Sequence, residues 1–365
     1  MKCSATIKAL FFALIPLAAN SQTVQKFSAS KANEYGIPYS LPNTVLDITV
    51  ETETVVRKPG EFYKYARRYF NIADPITTEG TTVTVKSITI GTHGEANTDD
   101  RYLVTFKPGY VPFMMISPEG MPLAINTENK FTPDEVTLPT PVMAEPSPLE
   151  TPAARQAMSE EIMQSQSTAK RAELAAAQIF ALRQSRNDLI TGQADQMPPD
   201  GKSMELILNN INAQEAALMA MFAGTVQTST DVATISYTPD GVDDNIKRTV
   251  IARISPTTGL VDSDDLSGAP LYLSLDVTDR PEMPVDAKGA TIGIPRDAFI
   301  YNMPGKVDVS VEFDNRTLAS ASVEMAQYGI RYGLKPNTFT DKKAPAYAIF
   351  DPTTGSIVEL GTVNQ

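Results

Sequence analysis

The chain has 365 residues, with 31 Lys plus Arg against 43 Asp plus Glu, one His, one Cys and a net charge of −12. An acidic surface lacks the concentrated positive field that phosphate recognition needs, so nucleic acid is not an expected partner and anionic membranes are disfavoured. One histidine and one cysteine exclude multi-histidine metal centres and intrachain disulfides, and no cofactor is expected. Hydrophobic content of 42% with 20% charged residues is that of a globular chain of about two domains.

The first residues read as an export signal, residues 1–21. Lys2 and Lys8 are basic, residues 9–17 are apolar, and Ala19-Asn20-Ser21 supplies the small residues of a cleavage site, placed after Ser21. The apolar run falls well short of the ~20 residues of a spanning helix, so no membrane insertion is expected after cleavage. Cys3 precedes the run and leaves with the leader, so the mature chain is cysteine-free. The expectation is an exported protein, periplasmic because no sorting module follows Val363.

Residues 22–130 read as a first β-rich region. From Asn43, Leu46, Ile48, Val50, Thr52, Thr54 and Val56 alternate with Asp47, Thr49, Glu51 and Glu53, the period of a half-buried strand. Lys58-Pro59-Gly60 stops it. Phe62, Tyr65, Ala66 and Tyr69 then recur at spacings of three and four, which predicts a short amphipathic helix docked on this sheet. Strands are expected again over 81–90 and 102–106, with Gly91-Thr92-His93-Gly94-Glu95 as a polar turn between them. His93 is read as a solvated loop residue.

Six prolines between Phe131 and Pro152 forbid regular ladders and make 131–151 a semi-rigid linker. Residues 152–224 read as a helical hairpin opened by Thr151-Pro152, with helices over 153–190 and 203–222. At 1.5 Å per residue these arms would be about 57 and 30 Å long, so a break is expected near Ser165 to Thr168, or an overhang. Residues 225–365 return to β-rich runs. Ile116-Ser117-Pro118-Glu119-Gly120, Ile254-Ser255-Pro256-Thr257-Thr258-Gly259 and Phe350-Asp351-Pro352-Thr353-Thr354-Gly355 share one device. Pro sets the first turn dihedral, Ser or Asp bonds the following backbone, and Gly takes the positive φ. The fold class is therefore α+β and β-rich: two antiparallel β regions, a helical hairpin inserted between them and a short helix on the N-terminal sheet.

Catalytic signatures are largely missing. Gly201-Lys202-Ser203 imitates the end of a phosphate loop, but Pro198 and Pro199 remove the N–H donors that phosphates need, so Ser203 is read as a helix cap. Ser167-Thr168-Ala169-Lys170 and Ser185-Arg186-Asn187 match elements of penicillin-recognising enzymes, yet on one helix they would lie roughly 27 Å apart. Asp262, Asp264 and Asp265 are weak calcium candidates, with Leu266 standing where a ligand belongs; the expected metal is none. The densest polar stretch, Arg183, Arg186, Asn187 and Asp188 with Asp195 and Asp200, is expected at the hairpin tip as a partner-binding surface.

Pro59-Gly60-Glu61-Phe62-Tyr63-Lys64-Tyr65-Ala66-Arg67-Arg68-Tyr69, the stretch from Ile179 to Gly192, Met197-Pro198-Pro199-Asp200-Gly201 and Ala326-Gln327-Tyr328-Gly329 together resemble an exported Bacteroidales family with a domain of unknown function. The resemblance implies a cell-envelope setting and brings no catalytic residues. The function expected is a non-catalytic binding or assembly protein that meets another envelope protein through the helical hairpin, where Met158, Met163, Met204, Met219 and Met221 offer an adaptable surface. Carboxylate-dependent glycan hydrolysis and small-ligand carriage are the alternatives.

Overall fold

The computed structural model describes residues 23–26, 36–105, 112–133, 136–295, 298–335, 338–341 and 344–362. The leader with Ser21, Lys342-Lys343 and Val363 lie outside the described residues. The protein is β-rich, with antiparallel sheets and few helices.

The first sheet has the order β1-β3-β2-β6, formed by β1 (Thr23–Lys26), β2 (Ile37–Lys58), β3 (Gly80–Thr105) and β6 (Thr225–Tyr237). A second has the order β11-β10-β9-β7-β8, from β7 (Asn245–Ser255), β8 (Gly259–Val261), β9 (Ala269–Asp279), β10 (Phe299–Phe313) and β11 (Arg316–Leu334). The third, β13-β12-β5-β4, joins the hairpin of β4 (Met114–Ile116) and β5 (Pro122–Ile125) to that of β12 (Ala346–Phe350) and β13 (Ile357–Thr362). The sequence on its own left open whether the two β regions are separate. In the structure they share sheets: β6 joins the first, and β12 pairs with β5.

Alternation along β2 turns Leu46, Ile48 and Val50 inward against Leu271, Leu273 and Leu275 of β9 and Val307, Val309 and Val311 of β10, which makes a two-sheet core. The same strand starts six residues earlier than its alternation suggested. Pro38 and Pro42 are tolerated because β6 pairs with β2 only from Leu46 onward, so the missing N–H groups fall where β2 has no second neighbour. In that earlier stretch Tyr39 and Leu41 serve another core with Phe299, Phe339 and Phe350 under the third sheet.

β3 runs unbroken through the stretch expected to turn. Gly91 faces Asp47 and His93 faces Val45 in register, so pairing with β2 overrides the local turn preference of Gly91 to Glu95. Gly94 has a packing reason: a Cβ there would lie 2.0 Å from the carbonyl oxygen of Pro352, in the turn that crosses it. The three Pro-Gly turns form as expected. Gly120, Gly259 and Gly355 have φ of 91, 85 and 72°, and Ser117, Ser255 and Asp351 accept the following backbone N–H groups. Two of these hairpins meet in the third sheet through the strand after the turn in one and the strand before it in the other. The likeness is thus one of turn chemistry, with no repeated pairing.

A polar junction separates the two sheet cores. The buried Thr44 donates its N–H to Gln327 Oε1 at 3.0 Å, and Gln327 Nε2 donates back to the Thr44 carbonyl at 2.7 Å. Thr44 Oγ1 donates to Thr353 O and accepts from Ala326 N, while Asn302 Nδ2 donates to Pro42 O and Thr354 O. Gln327 can do this because Ala326 to Gly329 bulge out of β11 between the pairs Met303↔Ile330 and Gly305↔Met325.

The helices are α1 (Ala66–Phe70), α2 (Pro152–Ala157), α3 (Glu160–Gln164), α4 (Thr168–Thr191) and α5 (Gly201–Ala223). The expected break occurs over residues 165–167, with another at Met158–Ser159; Ser159 and Ser167 cap the helices that follow. This trims the long arm to about 36 Å against about 35 Å for α5, so the two match end to end. The short α1 does not pack on the N-terminal sheet. Phe62 and Ala66 enter a core made by α2 to α5, with the Phe62 and Phe222 rings 5.3 Å apart. Its pattern predicted an apolar face; which surface that face meets is a tertiary outcome. Residues 131–133 and 136–147 carry no helix or strand, and one isolated bridge, Val142↔Thr230, fastens them to β6. No described helix is long and apolar enough to cross a membrane.

Gln327→Leu strips partners from the Thr44 N–H and carbonyl together and should lower stability by about 2–4 kcal/mol, read from chemical denaturation. Tyr328 is fully buried and its hydroxyl has no hydrogen-bond partner among the described residues; burial, then the Tyr237 and Asp240 charges, pushes its pKa from 10.0 up to about 12. A raised pKa means that the stabilising contribution is full below pH 10 and is lost as pH rises toward 12. Tyr328→Phe should therefore flatten the decline of melting temperature across that window without lowering stability at neutral pH.

Candidate partner-binding end of the helical hairpin

Caps and turn chemistry determine how the hairpin closes. Asp200 is the N-cap of α5, its Oδ1 accepting the Ser203 N–H at 2.6 Å, and that bond holds the carboxyl below its ordinary range. Ser203, read from sequence as the cap, is the third helical residue and receives the cap. Gly192, at φ 72°, ends α4 by donating to Asp188 and Leu189 carbonyls. Ser167, the first residue of the Ser-x-x-Lys pattern, accepts the Lys170 N–H as N-cap, so a capping requirement accounts for that pattern.

Most of the predicted tip charges are engaged within the protein. Glu215 is buried, and its two oxygens take Arg183 Nε at 2.6 Å and Arg186 Nη1 at 2.5 Å. Arg186 also donates to Asn212 Oδ1, and Arg183 lies over the rings of Phe70 and Phe180. These two arginines join the middle of α4 to α5. Asp188 accepts from Gln184 Nε2 and Asn187 accepts the Thr191 hydroxyl through its carbonyl. Asp195 and Asp200 are exposed at the turn.

The tip also exposes apolar side chains. Every buried residue of α5 lies from Glu215 onward. Before that point Leu206 is 71% and Ile207 39% exposed, and across the turn Met197 is 47% and Ile190, at the end of α4, 67% exposed. The sequence reading of the tip rested on its charges and did not single out this surface. A signal for it existed: Leu206-Ile207-Leu208 are consecutive, and three successive residues at 100° each cannot all face one neighbour. Of the five methionines, Met158, Met219 and Met221 pack against the helical core, and Met163 is exposed at 62%.

The other candidates lie elsewhere. His93 Nδ1 meets Asp47 Oδ2 at 2.5 Å on the face of the first sheet, and Ser236 Oγ donates to Asp47 Oδ1 at 2.8 Å. The carboxylate sits between hydroxyl and imidazole, so the Ser-His-Asp order of a nucleophilic triad is not formed here. Asp265 accepts the Ser267 N–H and is held below its ordinary range by that bond, a turn-forming role; the other two calcium candidates, Asp262 and Asp264, share its exposed loop. Among the described residues no group of three or more His, Cys, Asp or Glu side chains is placed to hold a metal ion.

Glu215→Ala leaves two half-exposed guanidinium groups at the helix interface without their anion. It should lower stability by about 1–2 kcal/mol, below the cost of breaking a fully buried pair, and a denaturation curve measures it.

No curated protein and no solved structure matches the chain. Residues 35–358 match the family described as a domain of unknown function, DUF4831, and that span holds the polar junction, the hairpin and the three sheets apart from β1 and most of β13. The chain therefore belongs to the DUF4831 family.

Proposed function

We propose that the protein is an exported, periplasmic, non-catalytic binding or assembly protein, and that another envelope protein docks on the free end of its helical hairpin. The observation that carries this reading is the exposed set Ile190, Met197, Leu206 and Ile207 at the end remote from the helical core. Large apolar side chains exposed to water at one end of the molecule favour burial against a partner. Between Ile190 and Leu206 the chain exposes Asp195, Asp200 and Glu205 against the single Lys202. The partner chemistry that fits is an apolar groove bordered by basic side chains. Export is supported by the basic, apolar and small-residue order of residues 1–21.

The test places a photo-crosslinking amino acid at position 206 of the full-length protein in its native cells. The expected result is one stoichiometric adduct to a second envelope protein, lost in the Ile190→Asp/Ile207→Asp variant while a crosslinker on the sheet at Ser236 yields none. An adduct of twice the protein's own mass, or no adduct at position 206, overturns the reading.

A further inference from the structure

The outward face of the second sheet carries a trough of about 540 Å³ whose walls and floor come from β7, β9, β10 and β11. Its register places Ser274, Ser310 and Ser320 side by side on β9, β10 and β11, and Asp276, Asp308 and Ser322 in the next row. At one end Glu312 stands opposite Tyr272, and Arg248 closes over both: its guanidinium pairs with Glu312 and lies 4.0 Å from the centre of the Tyr272 ring. Arg248 reaches there from a bulge in β7 at φ 51°, and its N–H is fixed by the Ser274 hydroxyl.

These residues are poor choices for an idle sheet surface. Asp is depleted in strands, and like charges directly opposite one another destabilise a ladder. Asp276 and Asp308 are directly opposed, with Cβ atoms about 4.5–5.5 Å apart for such pairs. Among the described residues neither carboxylate has a hydrogen-bond or ion-pair partner.

The lining also narrows the ligand. The two aspartates oppose an anion, and Lys247 in the same lining opposes a cation. An apolar molecule finds few side chains to hold it, because Leu275 and Val309 point into the core at 2% and 1% exposure, which leaves Ile246 and Ala321 as the apolar side chains of the lining. A metal ion would lack a third carboxylate or imidazole. A peptide adding to the edge of β11 would meet bulges on either side, where the register shifts between Val311 and Glu312 and between Met303 and Gly305. Rows of hydroxyls and carboxylates at the ~4.8 Å strand spacing match a ligand that offers many donors and acceptors without charge. We propose that this trough binds a neutral, hydroxyl-rich chain, an oligosaccharide, with Asp276 and Asp308 accepting its hydroxyl hydrogens. The site is independent of the hairpin end, and each reading stands or falls alone.

Affinity electrophoresis of the mature, full-length chain tests it, in gels cast with a soluble β-glucan, an α-mannan, a xylan or, as the charged control, polygalacturonate. Retardation by at least one neutral polymer is expected. Asp276→Ala/Asp308→Ala and Ser310→Tyr, which fills the middle of the trough, should each weaken it roughly tenfold or more, the loss expected when charge-assisted hydrogen bonds are removed. Asp308→Asn, nearly isosteric and relieved of the like charge, should weaken binding with no fall in melting temperature. No retardation by any neutral polymer, equal retardation by polygalacturonate, or unchanged retardation of the double variant overturns the proposal.

Discussion

The exchange of hydrogen bonds between the Thr44 backbone and the Gln327 side-chain amide is the constraint on which the architecture turns. β2 serves two cores, Tyr39 and Leu41 on one side and Leu46, Ile48 and Val50 on the other, and between them its backbone polar groups are buried. Buried peptide groups must be paired. A regular neighbouring strand cannot do it, because β6 stops short at Leu46. A carboxamide carries one donor end and one acceptor end, so Gln327 acts as a one-residue substitute for a strand. The bulge of β11 exists to deliver it, and Gly94 and Gly329 are bare so that other backbone can come close.

The helical layer solves a different problem with similar means. An Ala-rich α4 packs closely on α5 near the body of the protein, where Ala172, Ala175, Ala176 and Ile179 meet Leu218 and Phe222. Further out the apolar core ends and the buried Glu215 takes over, clamped by two arginines. Such a clamp orients two helices while contributing little net stability. It leaves the end of the hairpin held in geometry and unshielded by neighbours, the condition under which apolar side chains stay available to a partner.

The two proposed surfaces differ in how they were made. At the hairpin the fold leaves apolar side chains without cover; on the second sheet it places two like charges across one rung of a ladder. Both depart from what stability alone would select, and such departures are where function is expected to reside. The His93 and Asp47 pair is the instructive contrast: its geometry is short and well formed, and Asp47 is shared with Ser236, so the carboxylate is engaged on both oxygens within the sheet.

The amino-acid sequence by itself determined the features that depend on a few neighbouring residues. The three Pro-Gly hairpin turns, the proline at the start of α2, the break before Thr168 and the alternation of β2 follow from fixed dihedrals, local caps and side-chain period. Tertiary structure alone decided the rest. It carried β3 through Gly91 and Gly94, because pairing along β2 outweighs a local preference for turning, and it extended β2 across Pro38 and Pro42, because no strand lay on the side of the missing donors. It moved α1 from the sheet to the helices and drew Arg183 and Arg186 onto a glutamate about thirty residues away. It also aligned Asp276 with Asp308, which belong to different strands and share no local pattern. Each of these outcomes depends on which distant segment lies opposite, and a period or a cap signal contains no information about that.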